Sequence, residues 1–314
     1  MSYKIYIFYI IICFFTFNIQ CKKDPFVNEC QAFDNIITID SDKKRNKVLI
    51  VGIDGIRSDV ISNLNSPFLH SFLTDSNSYS NLNHRVEKDT YSGPNWTSIL
   101  TGVHYEKHHV TDNSFQNNRL EYYPNFFNYL ESAMDNFDSY SITNWIPINQ
   151  NVLKNDVDYA NLEYIDDSLV YEISRQKIIN IKTANPSSIF IQFDELDAAG
   201  HEFGFSNEVF EYTETLNQID TYISGLYSLV EERRNNGEDW LVVFVSDHGG
   251  DGFGHGDSSN PHINKTLLIV EHPTVNFNTN YVSKMPDIVP TIFTFMGIKS
   301  TYFDCYTDGN SIIL

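Results

Sequence analysis

Apolar positions come in two rhythms along this chain. The run Lys47-Val48-Leu49-Ile50-Val51-Gly52-Ile53 is apolar at nearly every position and rich in β-branched residues, the pattern of a strand covered on both faces. Ser139 to Thr143, Ile189 to Phe193, Trp240 to Ser246 and Thr266 to Val270 predict further strands. Between them the period lengthens. In Asn207 to Arg234, Val209, Leu216, Ile219, Ile223, Leu226 and Val230 fall at helical spacing. Shorter helical patterns follow Asp54-Gly55 through Val60, open at Ser92 with Pro94 in the first turn and stop at Gly102, and run from Pro124 through Phe127 and Leu130. A last one spans Pro286 to Met296 and ends at Gly297. Strand and helix alternate, which predicts an α/β fold with a mostly parallel central sheet flanked by helices on both faces. No internal repeat or low-complexity tract interrupts it.

The N-terminus departs from this rhythm. Lys4 precedes an apolar run from Ile5 to Phe17, well short of the roughly 20 residues of a membrane span. Residues 1–21 therefore read as an export signal. Cys21-Lys22-Lys23-Asp24 resembles the start of a bacterial lipoprotein, although Asn18 and Gln20 fit that pattern badly, so a lipid on Cys21 and plain cleavage nearby both stay open. Residues 22–46 are polar and read as a tether, leaving 47–314 as one catalytic-size domain. Cys30 and Cys305 are the two cysteines beyond the signal; in an oxidising compartment they pair, and otherwise they are two buried thiols. The expected address is outside the cytoplasm: secreted, periplasmic or held at the cell surface.

The net charge of −20 argues against a cationic groove for a nucleic-acid duplex. It suits a protein that meets anionic substrates through bound divalent metals, and it equally suits simple solubility.

In an open α/β sheet, ligands bind beyond the carboxyl ends of the strands. Three predicted strands end there in metal-ligand residue types. The first delivers Asp54. The strand 189–193 leads into Asp197, with His201 four residues on. The strand 240–246 delivers Asp247 and His248, with His255 close behind. Asp and His are the oxygen and nitrogen ligands that zinc accepts. Alone, each is more often a helix cap or turn former; their shared place at strand exits makes the set informative.

These residues occur in an ordered series of motifs: Ile50-Val51-Gly52-Ile53-Asp54-Gly55-Ile56-Arg57, Ser92-Gly93-Pro94-Asn95-Trp96-Thr97-Ser98, Asp197-Ala198-Ala199-Gly200-His201, Ser246-Asp247-His248-Gly249, His255-Gly256, Pro286-Asp287-Ile288-Val289-Pro290 and Asp308-Gly309-Asn310-Ser311. In that order they resemble the alkaline phosphatase superfamily, and within it the type I phosphodiesterase and nucleotide pyrophosphatase branch, over roughly residues 47 to 310. The resemblance implies two zinc ions, one held by Asp197, His201 and His255, the other by Asp54, Asp247 and His248 together with the nucleophile Ser92. It implies a covalent phosphoserine intermediate, and Asn95 as donor to a non-bridging phosphoryl oxygen. Small phosphodiesters or nucleotide-like molecules are the implied substrates. Without the resemblance Ser92 reads as a helix cap, and Thr90 is the alternative nucleophile. His262 is the main rival of His255. A phosphomonoesterase or phosphonate hydrolase is the alternative on the same scaffold, and a non-catalytic surface binding protein is a third reading.

Three departures narrow the match. Trp96 stands where sulfatases of the superfamily need arginine. No arginine clamp is found near Ser92. Gly93 and Trp96 replace residues common in nucleotide pyrophosphatases, which opens the question of the ester-group pocket; Tyr91 and Trp145 are the candidate stacking residues there.

Overall fold

The computed structural model describes residues 45–153, 155–299 and 306–314. The predicted signal, the lipidation position Cys21, most of the tether, and both Cys30 and Cys305 lie outside them. Among the described residues no helix is long and apolar enough to cross a membrane.

In chain order the elements are β1 (Lys47–Ile53), α1 (Pro67–Ser71), β2 (Ser78–Arg85), α2 (Ser92–Thr101), α3 (Tyr105–His108), α4 (Phe126–Ala133), β3 (Asp138–Thr143), β4 (Tyr159–Ala160), α5 (Asp167–Asn180), β5 (Ser187–Phe193), α6 (Glu195–Phe203), α7 (Phe210–Asn235), β6 (Trp240–Val245), β7 (Lys265–Glu271) and α8 (Ile288–Phe295). One seven-stranded sheet has the order β2-β7-β6-β1-β5-β3-β4. From β6 across to β4 every pairing is parallel, with Ile53 level with Phe193 and Gly52 level with Val245. β7 runs antiparallel to both β6 and β2. The sheet is thus mixed, with one reversed strand in a mostly parallel array.

β1 is central and buried at all seven positions. Its alternate side chains feed two cores, as the two-residue period of a strand requires. Val48 and Ile50 pack with Trp96, Ile99 and Leu100 of α2, Phe126 and Phe127 of α4, and Ile292 and Phe293 of α8. Leu49, Val51 and Ile53 pack with Val170 of α5 and with Tyr212, Leu216, Ile219, Ile223, Leu226 and Val230 of α7. Helices therefore cover both faces. The exits of β1, β5 and β6 lie side by side, which brings Asp54, the segment after Phe193 and Asp247 to one edge. α2 ends as its sequence predicts, at Gly102 with φ 74°.

Candidate active site

Each ligand candidate reaches the sheet edge by a different route. Asp54 follows β1 directly, and its backbone N–H donates to the carbonyl of Phe193 at 2.9 Å, continuing the ladder with β5. The next turn is pinned by Tyr212 from α7, whose hydroxyl donates to Gly55 O (2.6 Å) and accepts from Arg57 N (3.1 Å). Asp197 and His201 sit on α6 one turn apart, so both face the same way; the Nε2 of His201 is 3.3 Å from Asp197 Oδ2. Asp247 and His248 leave β6 in a turn held by Ser246, whose hydroxyl donates to His248 O at 2.9 Å. His255 comes from the loop that follows.

The structure brings these six side chains into two groups. Asp197, His201 and His255 form one, Asp54, Asp247 and His248 the other, and in each the ligand atoms lie within 4.8 Å of one another. His255 Nε2 is 3.2 Å from His201 Nε2. His248 Nε2 is 3.4 Å from Asp54 Oδ1 and 3.3 Å from Asp247 Oδ2. Ser92, the first residue of α2, joins the second group, with its Oγ 3.3 Å from His248 Nε2.

The bonding of these groups fits metal ligands. Carbonyl oxygens can only accept, so a histidine nitrogen facing one carries its proton. His201 Nδ1 donates to Phe253 O (2.9 Å), His248 Nδ1 to Gly249 O (2.9 Å) and His255 Nδ1 to Thr90 O (2.7 Å). In His248 and His255, both held neutral by burial, this turns a lone pair on Nε2 toward the groups, with the backbone fixing the tautomer; in His201 the proton on Nε2 is held by Asp197, and a cation there would take its place. The carboxylates agree: Asp54 Oδ1, Asp197 Oδ1 and Asp247 Oδ2 are buried without a hydrogen-bond partner, a costly state unless a cation completes it.

Electrostatics point the same way. Burial, then the charges of Asp247 and Asp197, push the Asp54 carboxyl well above its ordinary range. Burial and Asp197 do the same to Asp247. His248 is depressed to about 3 by burial. His201 is raised to about 9, chiefly by its bond to Asp197. Among the described residues the ion-pair partners of Asp54, Asp197 and Asp247 are histidines alone, so the site is short of fixed positive charge.

The family model described as type I phosphodiesterase / nucleotide pyrophosphatase matches residues 48–161 and 135–267. The chain belongs to this family. Its matched span carries all six ligand candidates and Ser92. Among curated relatives in the family, human bis(5'-adenosyl)-triphosphatase ENPP4 is 24% identical over 225 residues, 65% of this chain and 47% of its own length. The ectonucleotide pyrophosphatase/phosphodiesterase 1 of Saccharomyces cerevisiae is 25% identical over 251 residues, 64% of this chain and 33% of its own. The chain thus spans less than half the length of these relatives. Among solved structures, the C-terminal periplasmic domain of EcEptC from Escherichia coli in complex with zinc superposes with a TM-score of 0.60 at 16% identity, covering 86% of both chains. Murine ectonucleotide pyrophosphatase / phosphodiesterase 5, an inactive variant in complex with AMP, does so with a TM-score of 0.58 at 13% identity, covering 86% of this chain and all of that one. These two likenesses are likenesses of fold.

Several expected positions resolve differently. Asn95 is fully buried: its Nδ2 donates to Asp89 O (3.1 Å) and Tyr91 O (2.8 Å), and its Oδ1 accepts from Glu87 N (2.8 Å). Both amide protons are spent on the 87–91 loop, so in this structure Asn95 braces the segment before Ser92 and presents no donor to a substrate. Ser92 is not the cap of α2; Tyr91 holds that position. The hydroxyl of Thr90 donates to His255 O. His262 Nδ1 lies 3.0 Å from Arg57 Nη2, apart from both groups. Trp145 is packed against Phe115, whereas the Tyr91 ring is exposed and edge-on to His255 at 6.0 Å.

Asn113 went unread. Its Oδ1 accepts from Gly93 N at 2.8 Å, which fixes the amide over the start of α2 next to Ser92, and no bond from its Nδ2 is formed among the described residues. A Cβ at position 93 would come 2.7 Å from Asp112 O and 3.0 Å from that Oδ1. Glycine after Ser92 is what lets the 112–113 turn close in; the contact is tertiary, and no local pattern in the sequence marks it.

Proposed function

We propose that the protein is an exported phosphodiesterase of nucleotide pyrophosphatase type, acting on small phosphodiester or nucleotide-like substrates. The observation that carries this reading is the hydroxyl of Ser92 beside two groups of Asp and His whose lone pairs and unpartnered oxygens converge. Asp197, His201 and His255 would hold one divalent cation, and Asp54, Asp247 and His248 the other; zinc suits the mixed oxygen and nitrogen donors. Such a pair supplies the positive charge that favours the alkoxide of a serine and stabilises a departing oxygen.

The protein's own residues do the rest. Ser92 Oγ attacks phosphorus in line, forming the new P–O bond as the bond to the departing alcohol breaks. Its place as the first residue of α2 sets the positive end of that helix beside the anionic phosphoryl group, although Gly93 N is bonded to Asn113 and Pro94 has no N–H to offer. Asn113, held by Gly93, offers Nδ2 to a non-bridging oxygen, the role first expected of Asn95. Water then cleaves the phosphoserine and restores the hydroxyl. The exposed Tyr91 ring at the rim suits a planar ester group.

The test is hydrolysis of bis(4-nitrophenyl) phosphate and of 4-nitrophenyl phosphate by the purified domain. Faster turnover of the diester, lost on chelation and restored by zinc, is the expected result. Absence of any phosphate-ester hydrolysis by zinc-loaded protein overturns the reading.

A further inference from the structure

We propose that Trp96 is a positioning residue for the Asp54, Asp247 and His248 group: its indole N–H holds one oxygen of Asp54 so that the other faces the cation, and it ties the Ser92 helix to that carboxylate. The inference rests on the two-cation reading above and concerns a residue that carries no charge and touches no substrate.

Trp96 Nε1 donates to Asp54 Oδ2 at 2.8 Å. Gln192 Nε2 donates to the same oxygen at 3.1 Å. The other oxygen, Oδ1, is the one without a partner, and it is the one 3.4 Å from His248 Nε2. The two Asp54 oxygens are thus divided, one committed to neutral donors and one left open. An indole N–H is a donor only and cannot compete for the cation.

The fold makes room for this contact at a specific cost. Trp96 is fully buried, and a Cβ at Gly52 would lie 2.4 Å and 2.7 Å from two of its ring atoms. Glycine in the middle of a central strand weakens the strand and commonly marks a close approach. Here it admits the indole, two residues before the carboxylate that the indole binds. Ser92 and Trp96 are also four apart on α2, so they share one helix face. A single hydrogen bond therefore sets the nucleophile's helix against Asp54.

The experiment is zinc titration of the metal-free domain against a competing chelator, for wild type and Trp96→Phe, which keeps an aromatic ring and removes the donor. Outer-shell partners of ligands typically contribute about 10–100-fold in metal affinity. The expected result is a weakening of that size at one of the two sites, with the other within about twofold. Equal weakening at both sites, or none at either, overturns the role of Trp96. Wild-type protein that takes up no zinc at the Asp54 group overturns the two-cation reading instead. Should the variant not fold, the indole ¹⁵N–H resonances of the wild type serve, since the chain has three tryptophans and the other two are assigned by Trp145→Phe and Trp240→Phe. The Trp96 resonance should shift at one step of the zinc titration; a resonance that stays still through both equivalents overturns the proposal.

Discussion

The imidazoles of His248 and His255 stack face to face, with 3.8 Å between ring centroids and 15° between planes. One ring belongs to each ligand group, so the contact sets the spacing between the groups. Two imidazolium rings could not lie so close, and burial holds both below the ordinary histidine value. Each gives its Nδ1 proton to a backbone carbonyl, leaving the Nε2 lone pair turned toward its group.

His255→Ala should therefore remove one cation and loosen the other, because the stack that aligns His248 is lost with it. Metal analysis of purified protein should fall from about two zinc per chain to about one or below. His262→Ala is the control. Its ring contacts Arg57 and Asp59 outside the groups, so zinc content should not change.

Ser92→Ala should lower diester turnover by on the order of 10³-fold or more while leaving zinc content near its wild-type level. Thr90→Val should cost far less, since the Thr90 hydroxyl is engaged by His255 O. Survival of near wild-type diester hydrolysis in the Ser92 variant would transfer the nucleophile's role elsewhere.

Asn113 and Asn95 separate function from support. Asn113→Ala removes an exposed amide anchored by one bond to Gly93 N, so stability should barely move while kcat/KM falls by about 10²-fold. Asn95→Ala empties a buried site of three hydrogen bonds and leaves backbone groups unpartnered. Its expected signature is a loss of stability of about 2–3 kcal/mol in denaturant melts, with activity reduced through the displaced 87–91 loop.

This pair also shows where sequence stops being informative. β1 and α7 were legible because burial on two faces and on one stripe leaves unmistakable periods. The ligand residues were legible because parallel strands deliver their last residues to one edge. β2, with the sequence SYSNLNHR and a register shift between Asn81 and His84, carries no such period, because it is an edge strand whose buried positions fall irregularly. α5 and α6 went unread too, although Asp197 and His201 four apart already marked a helical turn. The reversed direction of β7 and the return of Asn113 to Gly93 are tertiary, and nothing local encodes them. Hence two asparagines near Ser92 could not be told apart by type, and only the hydrogen bonds separate them.

Lys47 gives a pH signature at the opposite end of the sheet from the ligand groups. The side chain is buried at the start of β1, and its Nζ donates to the carbonyls of Lys182 (3.1 Å), Thr183 (3.4 Å) and Asn185. Burial lowers its pKa to about 8. Between about 8 and the ordinary lysine value of roughly 10.4 the unfolded chain keeps a proton that the folded chain has released, so stability rises with pH across that window. Lys47→Met has no such proton to release. The stability of wild type relative to this variant should therefore grow from pH 8 to pH 10.5, by on the order of 2 kcal/mol once the three carbonyl bonds, which favour the charged form, are allowed for. Denaturant midpoints measured in parallel at several pH values check it, because other titrating groups cancel in the difference. A difference that stays flat or shrinks with pH would mean that the three carbonyls keep the ammonium charged despite its burial.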